Sequence, residues 1–142
     1  MARSTDDRIE LLGRVPLFAG CTRKELRHIA SLTSEMSFTE GSVLTREGSP
    51  GEEAFVIADG EVDVSIGGKT VATLGRGEIL GEMSLLDHGP RAATATAATD
   101  VTVFVLNPAE FETILGDAAP VARKILRALA ERLREAEKGL TH

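Results

Sequence analysis

The chain of 142 residues has no tryptophan, no tyrosine, five phenylalanines and a single cysteine. So few aromatic rings leave it without the platforms on which nucleic-acid-binding proteins stack bases. One thiol, Cys21, excludes an internal disulfide and a multi-thiolate metal site, and fits a reducing compartment. No apolar run approaches the roughly 18 residues of a membrane span. The polar start Met1-Ala2-Arg3-Ser4-Thr5-Asp6-Asp7 leads into no signal-peptide core. A formal charge of −6 leaves no surplus of Lys and Arg for a nucleic-acid backbone. These absences predict a cytoplasmic protein with no DNA, RNA or membrane partner.

What is present is the composition of an ordinary globular domain, 42% hydrophobic and 27% charged. Size scaling predicts that folding buries about two-thirds of the unfolded surface, enough for one domain over residues 1–142. Residues 1–31 read as helical. Ile9, Leu11 and Leu12 form an apolar stripe ended by Gly13 and Pro16, and Thr22 with Glu25 makes a capping box ahead of Leu26, Ile29 and Ala30. Residues 32–106 read as short strands punctuated by glycines. Glu61 to Ile66 alternates with period two, Gly67-Gly68 signals a hairpin into Lys69–Leu74, and Val101–Leu106 is apolar enough to lie between layers. Residues 107–138 return to helix: Asn107-Pro108 caps the first, and a second runs from about Ala119 to Lys138. Strands at this spacing imply a sandwich or jelly roll.

The last helix carries two stripes. Val121, Ile125 and Ala128 form one; Ala122, Leu126, Leu129, Leu133, Ala136 and Leu140 form a short heptad seam. The seam can pair with a twin helix in a homodimer, or both stripes can pack on the strands.

Catalytic patterns are missing. His28, His88 and His142 lack metal-ligand spacing, and there is neither a nucleophile elbow nor a Gly-x4-Gly-Lys phosphate loop. The reading is a non-enzyme without metal or cofactor. One segment, residues 77–94, has chemistry of its own. Arg91 is the only Lys or Arg between Gly77 and Ala122, follows a proline, and opens a run of Ala and Thr predicted as a strand over Ala92–Thr99. Gly81-Glu82-Met83-Ser84-Leu85-Leu86 can form a helical turn whose N–H groups favour an anion. Arg91 would complete a site for one phosphate. Glu82 suits the hydroxyls of a ribose, and the small residues allow close approach. Together they suggest a nucleoside monophosphate; the competing possibility is that Glu82 and Arg91 satisfy each other or their neighbours in an empty barrel.

The segment closely resembles the phosphate-binding cassette of cyclic nucleotide-binding domains, Gly-Glu-x-Ala/Ser-Leu-Leu/Ile followed by Pro-Arg-Ala/Thr/Ser-Ala-Thr. Its counterparts are Gly81-Glu82-Met83-Ser84-Leu85-Leu86 and Pro90-Arg91-Ala92-Ala93-Thr94. The framework Phe38, Gly41, Leu44, Gly48, Gly51, then Phe55-Val56-Ile57, Gly60, Val62 and Val64, is similar to that family's too, as is the Leu17-Phe18-Ala19-Gly20 lead-in. The resemblance implies a mainly β fold with flanking helices: an eight-stranded, double-sheet jelly-roll barrel, N-terminal helices and a C-terminal helix pair. It places the ligand among Leu80, Gly81, Glu82, Met83, Ser84, Arg91, Ala92 and Ala93. Glu82 would take the ribose 2′-hydroxyl, Arg91 an exocyclic phosphate oxygen, and N–H groups near Ser84 and Ala92–Ala93 the other oxygens. Ala92, where a Thr or Ser goes with cyclic GMP, favours cyclic AMP.

The base cover departs from the family, for no aromatic residue lies between Pro120 and Leu140. An aliphatic lid with an arginine, from Leu129, Arg132 or Leu133, is the expectation. The expected function is a stand-alone cyclic AMP receptor that signals by movement of its C-terminal helix to a homodimer seam or an unidentified downstream protein. The alternatives are a ligand-independent interaction module, or a sensor domain separated from a larger regulator or transporter.

Overall fold

The computed structural model describes residues 4–117, 121, 122, 124–129, 131 and 132. Contacts group the chain into two compact units, residues 1–31 with 112–142 and residues 32–111.

In the first unit, α1 spans Thr5–Gly13, with Ser4 as N-cap accepting the Asp7 N–H through its hydroxyl. A 3-10 turn at Pro16–Phe18 leads to α2, Arg23–Ser31. The capping box that opens α2 is reciprocal: Glu25 N–H donates to Thr22 Oγ1 at 3.2 Å, and Thr22 N–H donates to Glu25 Oε1 at 2.8 Å. The stripes of α1 and α2, Ile9, Leu11, Leu12, Leu26, Ile29 and Ala30, are buried, as are Leu17 and Phe18. Residues 121–122, 124–129 and 131–132 are helical. Val121 and Ile125 are buried, whereas Leu126 of the seam is 65% exposed. Leu133, Ala136 and Leu140 lie outside the described residues.

The second unit is the strand domain. Its eight strands are β1 (Ser34–Phe38), β2 (Val43–Thr45), β3 (Ala54–Asp59), β4 (Val62–Ile66), β5 (Lys69–Leu74), β6 (Ile79–Leu80), β7 (Thr94–Ala97) and β8 (Val101–Leu106). They form two four-stranded antiparallel sheets, β1-β8-β3-β6 and β2-β7-β4-β5. This is the jelly-roll architecture expected. Val101, Val103, Phe104, Val105 and Leu106 of β8 are buried, as a continuous apolar strand should be. Phe55, Ile57, Val62, Leu80, Ala95, Ala97, Val103 and Val105 form the core, flanked by Phe38, whose ring meets Phe55 edge-on at 6.2 Å. The β4–β5 hairpin turns at Gly67 and Gly68, whose φ values of 60° and 79° are the paired positive angles of a tight hairpin.

Between β6 and β7 lies α3, Glu82–Asp87. The final element that begins in this unit is α4, Pro108–Asp117, capped by Asn107, whose Oδ1 accepts the Ala109 N–H at 3.0 Å. One expected boundary is corrected. The strand predicted over Ala92–Thr99 is confined to Thr94–Ala97. Ahead of it the Arg91 N–H and C=O bond to Ser49 C=O and Gly48 N–H, at 2.9 and 2.8 Å, and Ala93 C=O accepts the Thr45 hydroxyl, a side-chain and not a ladder bond, at 3.0 Å. At the far end Ala98 N–H turns to Glu61 C=O, at 2.9 Å.

Candidate functional site

One cavity in the strand unit, of about 210 Å³, is walled by Thr45 of β2, Val64 of β4, Ala72 and Leu74 of β5, and Ile79 and Leu80 of β6. Gly81, the first three residues of α3 (Glu82, Met83, Ser84) and Arg91, Ala92 and Ala93 complete it. All eight residues expected at the ligand therefore line one cavity.

Each arrives there for a local reason. Gly81 takes φ 81° as N-cap of α3, a left-handed conformation that lets the chain turn sharply from β6 into the helix. A helix's first N–H groups have no partner in the preceding turn, so those of Glu82, Met83 and Ser84 are the groups such an opening offers. Glu82 heads this turn and buries its Oε2. The Ser84 side chain is buried, with its hydroxyl donating to Pro90 C=O at 3.4 Å. Met83 lies 62% exposed on the same lining. Thr45 is buried and donates its hydroxyl to Ala93 C=O at 3.0 Å, so the short segment after Arg91 is tied to β2.

Arg91 is only 6% exposed. Its Nη1 donates to Glu53 C=O at 2.7 Å, and its guanidinium lies 5.7 Å from the centroid of the Phe55 ring. Burial pushes its pKa below the ordinary value, with the Glu53 carboxylate acting in the opposite sense. An arginine titrates so far above neutrality that it stays charged. A cation thus lines a small cavity beside a helix opening, with the Glu82 carboxylate on the same wall. The arrangement can accept one anion and one hydroxyl-bearing group. Arg91 also borders a second, larger cavity of about 380 Å³, lined by Phe38, Leu44, Pro50, Gly51, Glu53 and Phe55.

Thr45, Val64, Ala72, Leu74 and Ile79 were not anticipated as lining. The period-two pattern of β4 and β5 could have pointed to Val64, Ala72 and Leu74. The Glu53 carbonyl leaves no trace in a sequence, because any residue supplies one. Arg132 lines a cleft within the helical unit, with Pro16, Gly20, Lys124, Arg127 and Glu131, and Leu129 is half-buried. Leu133, the third expected lid residue, lies outside the described residues. Among the described residues no group of three or more His, Cys, Asp or Glu can hold a metal ion, and no helix is long and apolar enough to cross a membrane.

Fold and cavity together define a small-ligand-binding jelly-roll domain. The model of the cyclic nucleotide-binding domain matches residues 35–117. A cAMP-dependent protein kinase regulatory subunit from Colletotrichum orbiculare is 34% identical over 117 residues, 81% of this chain and 30% of that protein. The cyclic AMP receptor protein of Thermus thermophilus is 34% identical over 130 residues, 88% of this chain and 60% of that protein. The crystal structure of the N-terminal domain of a transcriptional regulator from Streptomyces coelicolor A3(2) matches with a TM-score of 0.83 at 34% identity, covering 92% of this chain and 94% of that one. This chain belongs to the cyclic nucleotide-binding domain family. It spans 30% and 60% of the lengths of those two curated relatives.

Proposed function

We propose that the chain is a cyclic AMP receptor module that performs no catalysis and uses no cofactor. The observation that carries this reading is the placement of buried Arg91 and of Glu82 on one small cavity at the opening of α3. Arg91 binds an exocyclic oxygen of the cyclic phosphate, and the N–H groups of the α3 opening and of Ala92–Ala93 take the others. Glu82 accepts the ribose 2′-hydroxyl. The cavity's 210 Å³ lies below the roughly 300–1,000 Å³ of drug-sized pockets. It therefore suits the phosphate and sugar, with the base reaching the mouth beside Met83 and the wall of Val64, Ala72 and Leu74. Ala92 offers no hydroxyl to a guanine amino group, which favours cyclic AMP over cyclic GMP. The names of the kinase regulatory subunit and of the cyclic AMP receptor protein support the same ligand.

The output is movement of the C-terminal helix, passed to a second copy through the seam that includes exposed Leu126 or to a downstream protein. A ligand moves such an equilibrium only by its differential affinity for the two states. The direct test is calorimetry with cyclic AMP and cyclic GMP on the wild-type chain and on Arg91→Ala. Loss of a charge-assisted bond of about 1.5–3 kcal/mol predicts roughly 10- to 150-fold weaker cyclic AMP binding. Wild-type affinity in the variant overturns the phosphate role of Arg91, and no binding of either nucleotide by the wild type overturns the function.

A further inference from the structure

The loop between β2 and β3 grips Arg91 along its whole length. Gly48 N–H and Ser49 C=O hold the Arg91 main chain, and Glu53 C=O holds its Nη1. Gly51 sits between these contacts. A Cβ built there would lie 2.6 Å from Arg91 Nε, 3.0 Å from Nη2 and 3.1 Å from Cζ. Those distances are shorter than the roughly 3.5–4.0 Å at which non-bonded carbon contacts are favourable. Gly51 is not among the glycines with positive φ, so its backbone is open to other residues. What the position demands is the missing side chain rather than a special conformation. Gly81 approaches from another side, where a Cβ would lie 2.6 Å from Nη1, but its φ of 81° calls for glycine in any case. Gly51 is therefore the position at which the close approach can be tested by itself.

We infer that Gly51 is a positioning residue for phosphate recognition: by carrying no Cβ it leaves the slot that aims the Arg91 guanidinium at the cavity. The inference rests on the cyclic nucleotide reading of that cavity and adds a residue with no ligand contact of its own. Alanine at 51 displaces the guanidinium rather than the loop, because the colliding atoms are the far end of a flexible side chain. Arg91 then loses the Glu53 carbonyl, while both sheets and the main-chain clasp stay in place. An anion contact that depends on a fork of donors tolerates little misplacement.

The experiment compares wild type, Gly51→Ala and Gly75→Ala; a Cβ at Gly75 meets nothing within 4 Å, and its φ is not positive. Three quantities are read: cyclic AMP affinity by calorimetry, the thermal midpoint, and the ligand-free 15N–1H resonance of Arg91 Nε, identified by its absence in Arg91→Lys. Gly51→Ala is expected to bind at least about tenfold more weakly, as for one lost charge-assisted bond. Its midpoint stays within about 2 °C of wild type, a shift worth less than about 1 kcal/mol, and its Nε resonance moves. Gly75→Ala matches wild type in all three. In the Arg91→Lys background the slot is no longer filled by a guanidinium, so adding Gly51→Ala costs nothing further. Wild-type affinity in Gly51→Ala, an unmoved resonance, a midpoint collapse, or equal losses in both backgrounds overturns the inference. Failure of the wild-type chain to bind any cyclic nucleotide overturns the functional reading instead, and the resonance, which needs no ligand, still decides whether the slot exists.

Discussion

Glu82 is the residue whose role is most open to a purely structural account. A carboxylate in the first turn of a helix is favoured by the helix dipole whether or not a ligand is present. Its position at the head of α3 and its buried Oε2 fit that account as well as they fit a ribose contact. A double cycle in protein and ligand separates the two. For cyclic AMP, Glu82→Ala should lose about 10- to 150-fold in affinity, the range of a hydrogen bond to a charged group. For 2′-deoxy cyclic AMP, wild type and variant should bind alike, since the hydroxyl that Glu82 accepts is gone. Equal losses for both nucleotides in calorimetry would reduce Glu82 to a partner of the helix dipole. The residue pair itself is legible: Gly81-Glu82 and Pro90-Arg91 carry a glycine for the turn, a carboxylate for hydroxyls and the only Lys or Arg between Gly77 and Ala122. Its holders were not legible. The Glu53 carbonyl is backbone, and Gly51, one glycine of the family-like framework, has nothing in the sequence to set it against the Arg91 guanidinium.

At the scale of elements, helix starts were the readable part because a cap is a short-range contract between residues three apart. Thr22 and Glu25, and Asn107 with Pro108, behave as their side-chain chemistry demands. The run from Ala92 to Thr99 forms a shorter strand than its composition predicts because its ends are set by distant partners, Thr45 at Ala93 and Glu61 at Ala98. Glu25 also shows how one cap serves a second purpose. Its Oε1 accepts Lys124 Nζ at 2.5 Å as well as the Thr22 N–H, joining α2 to the C-terminal helical residues inside the same unit. The hydrogen bond from Lys124, then that from the Thr22 backbone, lowers the Glu25 pKa from its ordinary value. A depressed carboxylate stabilises the folded chain above its unfolded pKa, and that contribution fades as pH falls through the folded value. Glu25→Gln should therefore be less stable than wild type at neutral pH. The gap should close below about pH 4.3, the ordinary glutamate value, in urea titrations run from pH 7 to pH 3. A gap that stays constant across that range would remove the charge from the account. Thr22→Ala, which deletes the other half of the box, should cost about 1 kcal/mol at neutral pH.

For the molecule as a whole the question is whether occupancy of the strand unit is felt in the helical unit. A ligand held at about one hundred times its dissociation constant stabilises what it binds by roughly 2.7 kcal/mol. Local protection alone therefore requires slower amide exchange at 81–84 and 91–93, the segments on the cavity. Coupling requires more. To reverse an equilibrium from 1:99 to 99:1, the nucleotide must favour one state by about 5.5 kcal/mol. Two or three charge-assisted bonds of about 1.5–3 kcal/mol each reach that figure only if nearly all of them form in a single state. The slot around Arg91 and the opening of α3 would then have to differ between the states, and not merely fill. Hydrogen exchange with and without cyclic AMP should accordingly change protection at 124–129 as well as on the cavity. In Arg91→Ala, saturated with ligand, the change at 124–129 should shrink while the change on the cavity persists. That pattern ties the signal to the phosphate contact. Equal exchange at 124–129 in the free and bound wild type would mean that the nucleotide is held without being transmitted, and would overturn the proposed movement of the C-terminal helix.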